Sequence, residues 1–185
     1  MAEIEDAIER ADREAFTRQP PKTLQARINF LMKQLKTTKA VAQEIGVSQR
    51  SVERYRKGER KHPPKAIAER IEDAVRQRWQ PQVRRRRRKQ AATTTGITVE
   101  TRARFGYTAP IGATDDGRFR RLTVHLPPTY AQRLFDARNT GANDQQMRAI
   151  IAEGFKEIYF QDGGARAMGL SDVTLNDIDY LDLDY

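Results

Sequence analysis

The spacing of apolar residues predicts a helical first half of the chain. Apolar side chains recur every three or four residues in the segments 4–16, 24–35, 38–55 and 67–79, which is the spacing of amphipathic helices. The first segment has a thin apolar face, so we expect residues 1–20 to form a weakly held helical arm. The other segments lie between two proline-containing breaks and predict a compact helical bundle over residues 21–82.

The pattern changes to strict alternation after residue 96. Apolar and polar side chains alternate from Ile97 to Tyr107 and from Leu122 to Leu126, as in strands with one buried face. Pro, Gly and Asp residues fill the segment 109–117, which predicts a two-stranded hairpin with a long loop. Helical spacing returns over 129–138 and 144–160. We therefore predict an α+β fold in which the helical bundle is followed by a β-hairpin and two C-terminal helices.

Two segments of biased charge adjoin this second region. Six consecutive cations are followed by Ala, Thr and Gly residues, and we interpret residues 83–96 as a polybasic linker that is solvated or binds phosphates without sequence preference. The cations are Arg84, Arg85, Arg86, Arg87, Arg88 and Lys89. The last 15 residues carry five aspartates, and we expect this acidic tail to be disordered or docked on a basic surface. Residues 97–185 form the second predicted domain.

The uneven charge of the chain indicates a polyanionic partner. Residues 1–90 contain 24 Lys and Arg against 12 Asp and Glu, whereas residues 91–185 contain 10 against 13. Clustered cations bind nucleic acid by releasing its condensed counterions. The chain has no cysteine and two histidines, so we expect neither disulfides nor a metal site. No apolar run reaches membrane-spanning length, and we predict a soluble, cytoplasmic protein.

Residues 38–55 satisfy the steric requirements of a helix-turn-helix. Gly46 allows the left-handed backbone of the sharp turn, and Ser48 can cap the second helix. Val52 and Tyr55 are spaced to face inward. The side chains left to contact bases and phosphates in a major groove are Gln49, Arg50, Ser51, Arg54 and Lys57. A plain helical corner in another kind of bundle is the alternative, but the surrounding positive charge favours DNA binding.

Several further segments, spread along the chain, carry a resemblance to a known family. They are Thr37–Ala40, Gly46–Arg50, Val52–Tyr55, Arg78–Pro81, Val99–Gly106, Thr114–Asp116, His125–Pro128, Arg133–Ala137, Glu157–Phe160, Asp162–Ala167 and Asp177–Tyr180. In this order they resemble the Streptomyces-type telomere terminal proteins, and the similarity spans residues 4–185. The Trp-Gln-Pro and Glu-Thr-Arg-Ala-Arg-Phe-Gly segments distinguish the chain from ordinary repressors.

The resemblance implies a protein that caps the ends of a linear bacterial chromosome or plasmid. Such a protein is joined through a threonine hydroxyl to a DNA 5′ end and primes the filling of the terminal gap. Its partners are telomeric DNA, with a duplex and a folded single-stranded 3′ overhang, and a telomere-associated recruiting protein. A DNA polymerase transfers the first deoxynucleotide onto it and supplies the divalent metal. Self-association through the region of Ile97–Tyr107, and a location at replicon ends in the nucleoid, are also implied.

The resemblance maps the acceptor hydroxyl onto Thr114. The family's acceptor threonine lies in a loop with the sequence Thr-Asp-Asp, and an exposed loop hydroxyl can enter a polymerase site. Without the resemblance, Thr114 would be interpreted as an ordinary turn residue. Three arginines that follow can hold phosphates, namely Arg118, Arg120 and Arg121. The alternative acceptors are Tyr107 and Thr108.

The sequence contains no catalytic set of its own. Neither an activated Ser or Cys arrangement nor a phosphate-binding glycine loop is visible. We therefore expect a nucleotidyl acceptor rather than an enzyme, with no cofactor of its own. The competing hypothesis is a helix-turn-helix transcriptional regulator with a C-terminal dimerisation domain. A terminal protein stays covalently joined to DNA ends, whereas a regulator dissociates in salt.

Overall fold

The computed structural model describes residues 3–185, which divide into two compact units. One unit consists of residues 16–82, and the other consists of residues 3–15 together with 83–185. The first unit is helical, and the second contains a four-stranded antiparallel sheet with helices. The predicted α+β fold is confirmed. The first helix, α1 (Glu3–Glu14), belongs to the second unit.

Four helices build the unit of residues 16–82. They are α2 (Leu24–Leu35), α3 (Thr38–Ile45), α4 (Gln49–Lys57) and α5 (Lys65–Arg78). Their apolar faces meet in one core, in which Ile28, Leu31 and Ile71 are fully buried. Trp79 follows α5, where its ring lies 5.1 Å from Phe30 in an edge-on arrangement and its indole N–H donates to a backbone carbonyl. The predicted helical bundle therefore has its own core.

The six consecutive cations lie on a helix rather than in a linker. Helix α6 spans Pro81–Gln90 and continues as the π-helical turn Ala91–Thr95. The prediction of a polybasic linker over residues 83–96 is therefore wrong. Arginine favours helices because its unbranched side chain loses little rotamer freedom there. In addition, Arg88 forms an ion pair with Asp12 on α1, which fixes the helix to the rest of its unit.

The sheet is built around one long central strand, β1 (Ile97–Ala109). One edge of β1 pairs with β2 (Gly112–Asp115) and with β3 (Arg120–Leu126). The other edge pairs with β4 (Asp172–Asp184). The predicted two-stranded hairpin was incomplete, because the loop itself contains β2 and the acidic tail forms β4. Strand β2 is too short for its alternation to be recognised in the sequence.

The acidic tail is an ordered strand. Val173, Leu175, Leu181 and Leu183 alternate toward the core and are buried. The aspartates point away from the core, and two of them form ion pairs with arginines of β1, as in the contact of 2.6 Å between Arg102 and Asp179. Of the two expectations for this tail, disorder is wrong. The tail is docked, beside basic side chains.

Helices cover one face of the sheet and leave the other open. Helix α7 spans Pro128–Asn139, and α8 spans Asp144–Gly154 with a π-helical continuation at Phe155–Phe160, in agreement with the two predicted C-terminal helices. Phe105 of β1 packs against Phe155 at 5.8 Å.

In the described part of the chain, no helix is both long and apolar enough to cross a membrane.

Helix α1 is part of the core of this second unit. Its side chains Ile4, Ala7 and Ile8 are fully buried, and Arg10 donates to the carbonyl of Leu181 in β4 at 2.6 Å. The expectation of a weakly held arm is therefore wrong. Ion pairs with α7 and α8 supplement the thin apolar face, as in the contact of 2.7 Å between Arg148 and a carboxylate of α1.

Candidate functional site

Helices α3 and α4 form the predicted helix-turn-helix. Gly46 ends α3 with φ +69°, in the left-handed region that favours glycine. A Cβ atom at this position would also lie 2.3 Å from an Arg70 guanidinium nitrogen. Ser48 caps α4 by accepting a hydrogen bond from the Ser51 backbone N–H at 3.2 Å. The sharp turn therefore has the two local features that the sequence analysis predicted.

The inner and outer faces of α4 separate as predicted. Val52 and Tyr55 are buried in the core. The side chains of Gln49, Arg50, Arg54 and Lys57 are exposed, and Ser51 is half-buried. The Ser51 hydroxyl lies 3.0 Å from the Ser48 hydroxyl, so its role at this position is partly structural. Arg56 and Glu53 are exposed on α4 as well, so the solvent-facing side of this helix presents four cations, an amide and a carboxylate.

The net positive charge of the chain lies in the helical unit. Residues 16–82 contain 16 Lys and Arg against 6 Asp and Glu, which gives this unit a formal charge of +10. The remaining residues contain 18 against 19, so the unit with the sheet is close to neutral. The division of the chain at residue 90 had assigned the arginine run to the basic part. The fold assigns it to the neutral unit, where part of it balances acidic side chains.

The arginine run divides into an inner and an outer set. Arg88 donates from Nε to the Asp12 carboxylate at 3.1 Å, and this carboxylate is buried. Arg84 lies one helical turn earlier and is half-buried, and burial lowers its pKa although Asp12 opposes the shift. The exposed set is Arg85, Arg86, Arg87 and Lys89. Of the six predicted phosphate contacts, Arg84 and Arg88 are therefore structural.

Replacing Arg85, Arg86 and Arg87 together by serine tests the outer set. We expect DNA affinity to fall evenly across sequences and the slope of log affinity against log salt to flatten by up to about three units. Filter binding or fluorescence anisotropy at several salt concentrations measures both quantities. An affinity loss confined to one DNA sequence would contradict a role limited to phosphate contacts.

Thr114 lies in a strand rather than at the tip of a loop. It is an exposed residue of β2 and pairs with Tyr107 of β1. Directly opposed residues of antiparallel strands point to the same face, so the Thr114 side chain is on the face of Tyr107. The turn itself consists of Pro110 and Ile111. The hydroxyl is accessible, as an acceptor requires, but its position is fixed by strand pairing.

The two alternative acceptors differ from Thr114 in their surroundings. The Tyr107 hydroxyl is buried without a hydrogen-bond partner among the described residues, and burial raises its pKa. Thr108 is exposed but points to the opposite face, because adjacent strand residues alternate. Its carbonyl accepts hydrogen bonds from Ser171. Of the three hydroxyls, those of Thr114 and Tyr107 lie on the same face of the sheet, and the Thr114 hydroxyl is the exposed one of these two.

Of the three arginines that were predicted to hold phosphates, Arg118 and Arg120 share the Asp116 carboxylate, and Arg121 lies apart from them. Arg120 donates from Nε to Asp116 at 2.6 Å, and this hydrogen bond lowers the pKa of Asp116. Arg121 lies on the opposite face, where it forms an ion pair with Glu100 at 2.6 Å. Arg118 Nε lies 3.5 Å from the Asp116 carboxylate, and its side chain is 79% exposed on the connection from β2 to β3, so it is the arginine of the three with the most access to a phosphate.

Sequence reasoning missed Asp12, on which the inner arginine set depends. This carboxylate accepts hydrogen bonds from Arg88 and from the Tyr185 hydroxyl, the latter at 2.7 Å. Burial raises the pKa of Tyr185, and the negative charge of Asp12 adds to the shift. One sequence feature could have identified Asp12 as a buried partner: this carboxylate comes four residues after Ile8, on the apolar face of an amphipathic helix.

Comparisons with protein families, curated protein sequences and solved structures give no match to this chain. Within residues 3–185, no group of three or more His, Asp or Glu side chains is arranged to hold a metal ion. The features of the described chain that bear on function are the exposed face of α4, the charge of its unit and the accessible Thr114 hydroxyl.

Proposed function

We propose that this chain is a DNA-binding terminal protein that caps and primes the ends of a linear bacterial replicon. The observation that carries DNA binding is the face of α4, where Arg50 and Arg54 are exposed opposite the buried Val52 and Tyr55. A helix of this kind inserts into a major groove and reads base edges with its outward side chains. The priming role rests on the resemblance and is supported by the accessible hydroxyl of Thr114.

In the proposed priming step, Thr114 is the nucleophile. Its hydroxyl oxygen forms a bond to the α-phosphorus of a deoxynucleoside triphosphate while the bond to the β-phosphate breaks. Pyrophosphate leaves, and the hydroxyl proton passes to solvent or to a base of the polymerase. Two divalent metal ions in the polymerase stabilise the charge that develops. The chain serves as the acceptor, and the polymerase is the enzyme.

The isolation of protein-bound DNA ends tests the priming role. Linear replicon DNA prepared with detergent and without protease should carry the chain at its 5′ ends, and mass spectrometry of the nuclease-treated adduct should place a nucleotide on Thr114. Treatment with salt removes proteins held by phosphate contacts. Complete loss of the chain from the DNA in detergent and salt would contradict the proposal.

Substitutions on α4 test the DNA-binding role. We expect Arg50→Ala and Arg54→Ala each to weaken binding to a duplex, selected from random sequences by the unmodified chain, by about 1–3 kcal/mol with loss of sequence preference. Lys65→Ala is a matched control, because this cation is 92% exposed and lies on α5. It should leave the sequence preference intact. Unchanged affinity in both α4 variants would exclude this helix from the groove.

A helix-turn-helix transcriptional regulator is the second candidate function. It is favoured by the division of the chain into a strongly basic unit and a nearly neutral unit, which fits a DNA-binding domain followed by an assembly domain. In that case the chain would bind duplex DNA and retain its sequence preference, but it would acquire no covalent nucleotide. The α4 substitutions would have the same effect under both functions. The covalent adduct distinguishes them.

A further inference from the structure

Two large apolar side chains are exposed at the end of the sheet that carries Thr114. Ile111 is 100% exposed and Met168 is 83% exposed. Phe119 is the other exposed large apolar residue in the described chain, at 38%, but the guanidinium groups of Arg102 and Arg104 lie over its ring at 5.0 and 4.7 Å. Ile111 and Met168 are therefore the two large apolar side chains that no other described residue covers.

The turn at Ile111 does not have the residues that hairpin folding favours. Ala109 pairs with Gly112, so Pro110 and Ile111 form a two-residue turn. Such turns favour Asn-Gly or glycine because they need a positive φ, which the proline ring does not allow. Gly112 has the unusual backbone instead, with φ +137°. The Pro-Ile sequence therefore departs from the usual turn chemistry, and local exceptions of this kind concentrate at functional sites.

The loop 161–171 holds Met168 at the same end of the sheet. Ser171 donates from its backbone N–H and from its hydroxyl to the carbonyl of Thr108, both at 2.8 Å. Gln161 donates to the carbonyl of Leu170 at 3.0 Å. Ala167, just before Met168, has φ +47°, a conformation that is costly for a residue with a Cβ atom. These bonds hold the loop that presents Met168 to solvent.

We propose that Ile111 and Met168 form the docking surface for the polymerase that modifies Thr114. This inference rests on the proposed priming function. Thr114 is three residues beyond Ile111, so an active site that reaches the Thr114 hydroxyl must also contact this end of the sheet. Exposed isoleucine and methionine gain free energy when they enter an apolar cleft. The partner surface is therefore an apolar cleft beside the nucleotide site of the polymerase.

The substitutions Ile111→Ser and Met168→Ser test this surface. The probe is a purified bacterial DNA polymerase that labels the unmodified chain, with telomeric DNA, the recruiting protein, Mg²⁺ and labelled deoxynucleotides. For each variant, we expect the chain concentration that gives half-maximal labelling to rise about tenfold, with a smaller change in the rate at saturation, because apolar burial contributes to docking. Ile111→Leu and Met168→Leu should restore labelling. Gln132→Ser, at an exposed position of α7, is the control.

The outcomes separate this inference from the function on which it rests. If the unmodified chain acquires no label with any polymerase, both fail. If it is labelled normally and the serine variants have the same half-maximal concentration, the docking surface is wrong and the priming function stands. If the serine variants instead reduce self-association in size-exclusion chromatography without affecting labelling, the surface binds a second copy and the inference is overturned. Thermal unfolding should be unchanged, since both side chains are exposed.

Discussion

Thr114→Ala should abolish covalent labelling of the chain by a polymerase, because alanine has no oxygen to attack the α-phosphorus. The reaction contains telomeric DNA, the recruiting protein, a polymerase, a divalent metal and labelled deoxynucleotide, and the label is measured after denaturation. Thr114 pairs with Tyr107 at an exposed position of β2, so the loss of its hydroxyl and methyl groups leaves the core intact. Covalent labelling should be lost completely, and this is the largest effect that we expect from any substitution in this protein.

Thr114→Ser is the matched variant for this experiment. Serine retains a hydroxyl of similar reach and lacks only the methyl group that restricts χ1, so part of the labelling should remain. Duplex binding through α4 should be normal in both variants, since Thr114 belongs to the other unit. Normal labelling of the alanine variant would show that another hydroxyl is the acceptor. Thr108 would be tested next, because it is exposed, whereas the Tyr107 hydroxyl is buried.

Asp12→Ala should lower the free energy of unfolding of the sheet-containing unit by about 3 kcal/mol, because it leaves a largely buried guanidinium without its partner. Arg88 is 20% exposed and Asp12 is 2% exposed in their ion pair. The Tyr185 hydroxyl, which donates to Asp12 at 2.7 Å, would also lose its acceptor. Chemical denaturation followed by circular dichroism measures the change.

Asp182→Ala is the control for this substitution. Asp182 forms an ion pair with Arg10 at 3.0 Å, but both side chains are largely exposed, so its removal should cost less than about 1 kcal/mol. The single tryptophan, Trp79, lies in the helical unit. Its fluorescence transition should therefore be unaffected by either variant, while amide exchange in β1 and β4 should accelerate only in Asp12→Ala. Equal destabilisation by both variants would contradict a special role for Asp12.

The helix-turn-helix could be predicted from the sequence because its determinants are local. The left-handed turn at Gly46, the cap at Ser48 and the inward spacing of Val52 and Tyr55 all lie within a few residues of one another. Steric constraints and helical periodicity act at this range. The exposed face of α4 followed from the same periodicity. The two C-terminal helices were recognised for the same reason.

The sheet was only partly predictable, because strand pairing depends on partners that are distant in the sequence. Alternation identified β1 and β3, but β2 has four residues and gave no pattern. Strand β4 was interpreted as an acidic tail, since its aspartates dominate the composition. Their charge is tolerated because arginines of β1 lie beside them, as Arg104 does beside Asp177. That arrangement joins residues 73 positions apart.

The sequence by itself determined the helical bundle and the outward side chains of α4. Only the tertiary structure decided that Arg88 binds the buried Asp12, 76 positions away in the chain, and that Arg121 lies on the opposite face from Thr114. A run of identical arginines has no pattern that distinguishes its inner members from its outer ones. Their roles depend on which side of α6 meets the core, and long-range packing sets that side.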